Sequence, residues 1–187
     1  MKVLILFLSL CFFTTPSPPG IDKDEAQKAF TLLNQIRSNP VAFTDEMPFL
    51  AETSKKPLLK WNDTLARVAE AKALDMATRQ YVSHVDPDGY GLNYKINEAG
   101  YKLNSRWLAS KEMNYFESIS AGAPSGEQAI RNLVIDKGVS TLGHRKHLLG
   151  LDEWTASLYD IGIGYARPEQ NQPYMSYVCV IIAKHNW

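Results

Sequence analysis

Residues 161–184 read IGIGYARPEQNQPYMSYVCVIIAK, and this stretch decides the fold. A first apolar run from Ile161 to Tyr165 is followed by a turn around Pro168, and a second run extends from Tyr174 to Lys184. Two apolar runs separated by a turn signal are typical of an antiparallel hairpin. Because helical patterns precede this hairpin, the chain is expected to pack helices against an antiparallel sheet.

Two long amphipathic helices are predicted upstream of the hairpin. From Asp24 to Ser38 apolar residues recur at helical spacing, and Asn39-Pro40 ends the pattern. A second helix is expected from Asn62 to Tyr81, since it opens on side chains suited to capping. We expect the two helices on opposite faces or edges of one antiparallel sheet, which contains Glu117, Ile163 and Cys179.

Shorter elements are predicted between the second helix and the hairpin. Pro87-Asp88-Gly89 is a turn signal, and a short helix that ends at Gly100 is expected after it. Residues 114–121 alternate weakly and predict a strand. A capping-box spacing then predicts a helix from Ser125 to Gly138.

The N-terminus has the pattern of a secretory signal peptide. Lys2 precedes the apolar run Val3 to Phe13, which is too short to span a bilayer. The Pro-rich residues that follow predict a flexible tether. We therefore expect residues 1–20 to be signal peptide and tether, residues 21–187 to form one domain, and the protein to be secreted or extracytoplasmic, without a transmembrane segment.

Cysteine usage and charge narrow the function classes. With Cys11 in the leader, the mature chain keeps only Cys179, so no internal disulfide is expected. The 20 Lys and Arg residues balance the 20 Asp and Glu residues, and the basic residues form no stripe. This composition argues against nucleic acid as a partner.

Five motifs, taken in order, resemble bacterial members of the CAP superfamily, which is named after cysteine-rich secretory proteins, antigen 5 and pathogenesis-related 1. The resemblance covers about Asp24 to Lys184 and implies an α+β fold, a three-layer α/β/α sandwich with a central antiparallel sheet. The motifs are Leu59-Lys60-Trp61-Asn62, the turn from Ser83-His84 to Asp88-Gly89, Glu117-Ser118-Ile119, Gly143-His144-Arg145 and Ile161-Gly162-Ile163-Gly164.

The resemblance also implies a cleft lined by two histidines and two acidic residues. The histidines fall on His84 and His144, the first acid on Glu117, and the second acid near Asp136. Such a cluster predicts that His84 and His144 bind zinc or another divalent cation, with a position open for water. Alternatively, the carboxylates accept hydrogen bonds from the rings and fix the loops without an ion.

The chain departs from the family pattern at several positions. Ser118 stands where the family usually has Asn, and His147 stands where bacterial relatives often carry Asn. The aromatic signature of the last strand is replaced by Tyr177-Val178-Cys179-Val180. We expect His144 to face the cleft, and His147 to be a surface or packing histidine.

Three functions are compatible with this cluster. The leading hypothesis is an extracytoplasmic binding module whose cleft accommodates a divalent metal, a peptide, or a lipid or other small amphipathic ligand. The alternative is a metal-dependent hydrolase, in which a His-bound ion activates water and Glu117 acts as general base. A structural envelope protein is the third. An apolar groove beside the cluster favours binding, a tight polar pocket with an open coordination position favours hydrolysis, and a closed cluster favours the structural role.

A reducing agent should leave the melting temperature of the mature domain unchanged, because the lone Cys179 cannot form an internal disulfide. Thermal unfolding followed by circular dichroism, with and without dithiothreitol, measures this. A large fall in melting temperature on reduction would instead reveal a disulfide between two molecules.

Overall fold

The computed structural model describes residues 18–169 and 172–185, so the predicted signal peptide, apart from the end of its tether, lies outside the described residues. Helices and strands follow the predicted order, with several short elements added. In chain order they are β1 (Gly20–Ile21), α1 (Lys23–Ser38), two 3-10 turns (Pro40–Phe43 and Pro48–Glu52), β2 (Lys60–Trp61), α2 (Asp63–Arg79), α3 (Leu92–Glu98), a 3-10 turn (Ser105–Leu108), β3 (Glu117–Ala121), α4 (Gly126–Ile135), α5 (Gly143–Leu149), α6 (Glu153–Ala156), β4 (Asp160–Arg167) and β5 (Tyr177–Ala183).

The sheet is built around β4 and β5, which form the predicted antiparallel hairpin. The strand order is β1-β4-β5-β3, and every neighbouring pair in this path is antiparallel. The two-residue strand β2 pairs in parallel with the start of β4. Gly20, which was predicted to end the flexible tether, already pairs with Arg167 in the sheet. The expectation that Glu117, Ile163 and Cys179 share one sheet is confirmed.

Helix α2 covers one face of the sheet at very short distance. A Cβ atom added to Gly162 would lie 2.1 Å from the backbone nitrogen of Ala66, and one on Gly164 would lie 2.3 Å from the carbonyl carbon of Ala69. These glycines lack the side chain that would hold the helix away from the strand. The Ile-Gly-Ile-Gly motif therefore explains the close packing of α2 on β4.

The other face of the sheet is covered by α1, α4 and α5. Side chains alternate along a strand, so Ile163 points away from α2. In the register of the sheet, Ile163 lies beside Val180 and Ser118, and the Ser118 hydroxyl contacts His147 of α5. Helix α1 is joined to α5 by a hydrogen bond from the buried Arg37 to the carbonyl of Leu148, at 2.7 Å. The molecule is thus the predicted three-layer α/β/α sandwich of the α+β class.

Helix starts follow the sequence signals, but three element boundaries differ from the predictions. Helix α2 ends at Arg79, before the predicted Tyr81, because Gln80 adopts the left-handed conformation with φ 56°. Helix α4 ends at Ile135, and Asp136 ends it with φ 53° instead of the predicted Gly138. Strand β3 begins at Glu117 and not at residue 114. A left-handed residue other than glycine has no clear sequence signature, so the ends of α2 and α4 were not predictable.

Replacing Gly162 with Ala should lower the free energy of unfolding by about 3 kcal/mol or more, because the new methyl group overlaps the backbone of α2. Gly20→Ala is the control, since a Cβ there meets nothing within 4 Å. Urea denaturation of the two variants measures the difference. Equal stability of Gly162→Ala and the parent protein would contradict the packing described here.

Candidate functional site

Three of the four predicted site residues line one cavity of about 400 Å³ beside the outer strand β3, and the fourth, Asp136, contacts one of them. His84 reaches it from the loop after α2, His144 and His147 from α5, and Glu117 and Ser118 from β3. Glu117 is in register with Gly162 and so points to the α2 face, whereas Ser118 points to the α5 face. The cavity therefore collects side chains from both faces of the sheet at the end of one strand.

His84 and Glu117 form the first of two imidazole–carboxylate pairs. The His84 Nδ1 lies 2.7 Å from Glu117 Oε2, which also accepts from Asn114 Nδ2 at 3.0 Å. The Cys179 thiol donates to the other carboxylate oxygen at 3.5 Å. The Glu117 side chain is fully buried, and these donors are the partners that a buried ionised carboxylate requires. Glu117 is thus a buried acid whose two oxygens both have polar partners.

A buried lysine, which the sequence did not single out, fixes the loop of His84. The Nζ of Lys72 donates to the carbonyl of Ser83 at 2.7 Å and to the hydroxyl of Tyr81 at 3.1 Å. Burial lowers the pKa of Lys72, and the negative charge of Glu117 counters that effect. A weak signal for Lys72 was present, because it interrupts the small and apolar residues that form the buried stripe of α2.

Asp136 and His144 form the second pair. The carboxylate of Asp136 lies 2.7 Å from His144 Nδ1 and also accepts from the backbone N–H groups of His144 and Arg145 at 3.0 and 3.2 Å. The left-handed backbone of Asp136 ends α4 and turns the side chain toward the first turn of α5. Asp136, whose register was the open part of the prediction, therefore points at His144.

In both pairs, the Nε2 atom of the imidazole ring has no hydrogen-bond partner in the described part of the chain. A carboxylate on Nδ1 is the arrangement that orients metal-binding histidines. However, the described residues contain no group of three or more His, Cys, Asp or Glu side chains that could hold a metal ion. Two imidazole nitrogens are fewer than the three protein ligands of a catalytic zinc site, so the residues do not fit a zinc site of that kind. Metal ligation by His84 and His144 stays a prediction.

Two of the departures from the family pattern, Ser118 and His147, contact each other in the wall of the cavity. The Ser118 hydroxyl lies 2.8 Å from His147 Nδ1, and His147 Nε2 lies 3.4 Å from the carbonyl of Ile182. A carbonyl only accepts, so Nε2 carries the ring hydrogen and Nδ1 accepts from Ser118. His147 is therefore a buried packing residue, and it also lines the cavity that His144 faces.

Aromatic side chains form the remaining wall of the cavity. Tyr115 and Trp154 line the cavity and also line an adjoining surface groove together with Trp107 and Arg106. The Trp107 and Trp154 rings meet edge to face, with centroids 5.4 Å apart. We call Trp107, Tyr115 and Trp154 the aromatic shelf. The sequence offered no periodic signal for Trp154, which lies on the short helix α6.

His185 lies apart from the residues that line this cavity. Its ring stacks on Tyr101 with centroids 3.9 Å apart, and its Nε2 lies 3.5 Å from an Asp160 carboxylate oxygen. These contacts give His185 a role in packing.

Comparison of the sequence with protein families identifies one match. The model of the family described as "CAP: Cysteine-rich secretory protein family" matches residues 30–181. A search of curated proteins gave no significant match. Within the described residues, none of the helices is long and apolar enough to cross a membrane.

Solved structures with a similar fold include two bacterial proteins. An extracellular protein containing an SCP domain from Bacillus anthracis is 23% identical with a TM-score of 0.55, and the match covers 87% of this chain and 41% of that one. An outer surface protein from Borrelia burgdorferi is 13% identical with a TM-score of 0.56, covering 87% of this chain and 95% of that one. This chain thus spans less than half of the Bacillus anthracis protein, and at these identities the likeness concerns the fold.

The stability of the protein should fall as the pH is lowered from about 6.5 to 4, and His147 should account for part of the loss. Burial lowers the pKa of His147 to about 4, with smaller contributions from the charges of His144, Arg37 and His84. Between these pH values the unfolded imidazole takes up a proton that the folded one does not, which favours unfolding by up to about 3 kcal/mol.

The measurement is urea denaturation at several pH values for the parent protein and for His147→Asn. The variant should lose less stability on acidification than the parent. Identical slopes for His147→Asn and the parent would show that His147 titrates normally.

Proposed function

This chain belongs to the CAP family of cysteine-rich secretory proteins, and on that basis we propose that it is a secreted or extracytoplasmic protein that binds a small amphipathic ligand. The polar end of the ligand lies at His84 and His144, and its apolar body lies on the aromatic shelf. The observation that supports this most directly is the shared wall, because Tyr115 and Trp154 line both the cavity and the adjoining groove.

The polar groups of the cleft favour binding over metal-dependent hydrolysis. A general base must come within hydrogen-bond reach of the proton that it abstracts. The Glu117 side chain is fully buried, and its two oxygens already accept from His84, Asn114 and Cys179. With these contacts Glu117 is not positioned to act as the general base of a hydrolysis.

The open cavity favours binding over a purely structural role. A cluster closed by its own hydrogen bonds would leave no space beside it, whereas this cavity has a volume of about 400 Å³. That volume lies within the range of small-molecule sites. The His84 side chain is 46% exposed and Trp154 is 36% exposed, so a ligand can reach both.

The two similar solved structures support an extracytoplasmic location for this protein. One is described as an extracellular protein and the other as an outer surface protein. A free amphipathic molecule and a peptide side chain with a polar end can make the same contacts in the cleft. Zinc, or another divalent cation, would have the Nε2 atoms of His84 and His144 as its ligands.

The neutral probe 3-phenyl-1-propanol should bind in the cleft, because its hydroxyl can donate to an imidazole and its ring can stack on the shelf. Nuclear magnetic resonance titration with a metal chelator present should shift signals of His84, His144 and Trp154. Trp154→Ala should weaken binding about tenfold, because it removes the largest apolar contact.

Tyr174→Ala is the matched control, since Tyr174 is an exposed aromatic residue that does not line the cleft. It should leave the affinity unchanged. Saturating probe without shifts in the cleft, or shifts confined to another surface, would refute the proposed binding site.

A further inference from the structure

We infer that the polar end of the ligand is a hydrogen-bond-donating organic cation, a primary ammonium or guanidinium group, and that the cleft disfavours carboxylates. This inference rests on the proposed function and specifies the ligand chemistry of the same cleft. It follows from the direction of each hydrogen bond around the cavity.

The two imidazoles that line the cavity each have one ring nitrogen left for a ligand. Ionised carboxylates only accept, so Glu117 and Asp136 require a hydrogen on the Nδ1 of His84 and of His144. A neutral ring with its hydrogen on Nδ1 carries a lone pair on Nε2, across the ring from the carboxylate. In this form each histidine offers an acceptor to a ligand.

The donors in the cavity wall are largely used within the protein. The N–H groups of His144 and Arg145, in the first turn of α5, bind Asp136, so they are not available to an anion. The Ser118 hydroxyl donates to His147. The hydroxyl of Thr141, which also lines the cavity, can donate or accept.

Asn114 adds a further acceptor at the wall. Its amide Nδ2 donates to Glu117, which fixes the orientation of the amide group. The Oδ1 atom is consequently directed elsewhere, and it is buried without a hydrogen-bond partner in the described part of the chain. A buried acceptor without a partner is costly, and a ligand that brings a donor to this wall reduces that cost.

The charges around the cleft place the cation at the histidines. The Glu117 and Asp136 side chains are 0% and 1% exposed, directly behind the two rings. By contrast, Lys184 lies over the Trp154 ring at 4.5 Å, and Arg106 borders the groove of the shelf. A ligand cation is therefore attracted to the imidazole end of the cavity and repelled from the shelf.

Three probes of equal length test this inference: 3-phenylpropylamine, 3-phenyl-1-propanol and 3-phenylpropionate. Titration at about pH 8 keeps the amine protonated and the carboxylate ionised, and a chelator excludes metal ions. The amine should bind at least about tenfold more tightly than the carboxylate, with the alcohol between them, since charge-assisted hydrogen bonds are the strong ones.

His144→Phe tests the role of the ring nitrogen. It removes Nε2 but leaves Asp136 held by two backbone N–H groups, so the fold should survive. The preference for the amine over the carboxylate should fall to about threefold or less, since one of two acceptors is lost. His185→Phe is the control, because His185 stacks on Tyr101 outside the cavity, and it should keep the full preference.

Should His144→Phe fail to fold in a thermal melt, His84→Phe gives the same test, since Glu117 keeps its contacts with Asn114 and Cys179. Equal or tighter binding of the carboxylate would overturn the inference and leave the proposed binding function standing. An amine preference that neither histidine variant reduces would also overturn it. Absence of binding by all three probes would overturn the proposed function itself.

Discussion

The close backbone contact between α2 and β4 is the constraint on which the rest of the structure depends. Gly162 and Gly164 allow the helix to approach the strand without intervening side chains. At this separation Lys72 is buried against the sheet, near the charge of Glu117, and its ammonium holds the carbonyl of Ser83. If α2 lay farther from β4, neither Lys72 nor His84, which follows α2 in the chain, would lie beside Glu117. The glycine motif thus affects the site indirectly, because it sets the position of α2. The glycines themselves are distant in sequence from the site residues on that side of the cavity.

The site arises because two faces of the sheet meet at its outer strand. One imidazole–carboxylate pair comes from the α2 face and the other from the junction of α4 and α5. Each buried carboxylate accepts hydrogen bonds from backbone or side-chain donors. One of these donors is a histidine ring, whose tautomer is fixed by the contact. The direction of these hydrogen bonds, more than the identity of the residues, decides which ligands the cleft can accept.

The sequence predicted much of the fold because periodicity and caps are local signals. The hairpin, the starts of α1 and α2 and the pairing of His84 with Glu117 in one cleft could be reached in this way, the last through the family resemblance. The role of Lys72 depends on which helix face meets the sheet, and the wall position of Trp154 depends on tertiary packing. Neither property has a local signature. The left-handed Asp136, which directs its carboxylate to His144, is likewise visible only in the backbone.

Ser118 and His147 depend on each other because each is the hydrogen-bond partner of the other's side chain. Both side chains are buried, so replacing either one by a residue that cannot complete the hydrogen bond would leave an unsatisfied polar group, at a cost of about 1–3 kcal/mol. The contact also limits what this part of the cavity can offer a ligand, because the hydroxyl hydrogen of Ser118 and the Nδ1 of His147 are committed to each other. The ligand preference of the cleft must therefore come from the other groups in its wall, above all the two imidazoles that are paired with carboxylates.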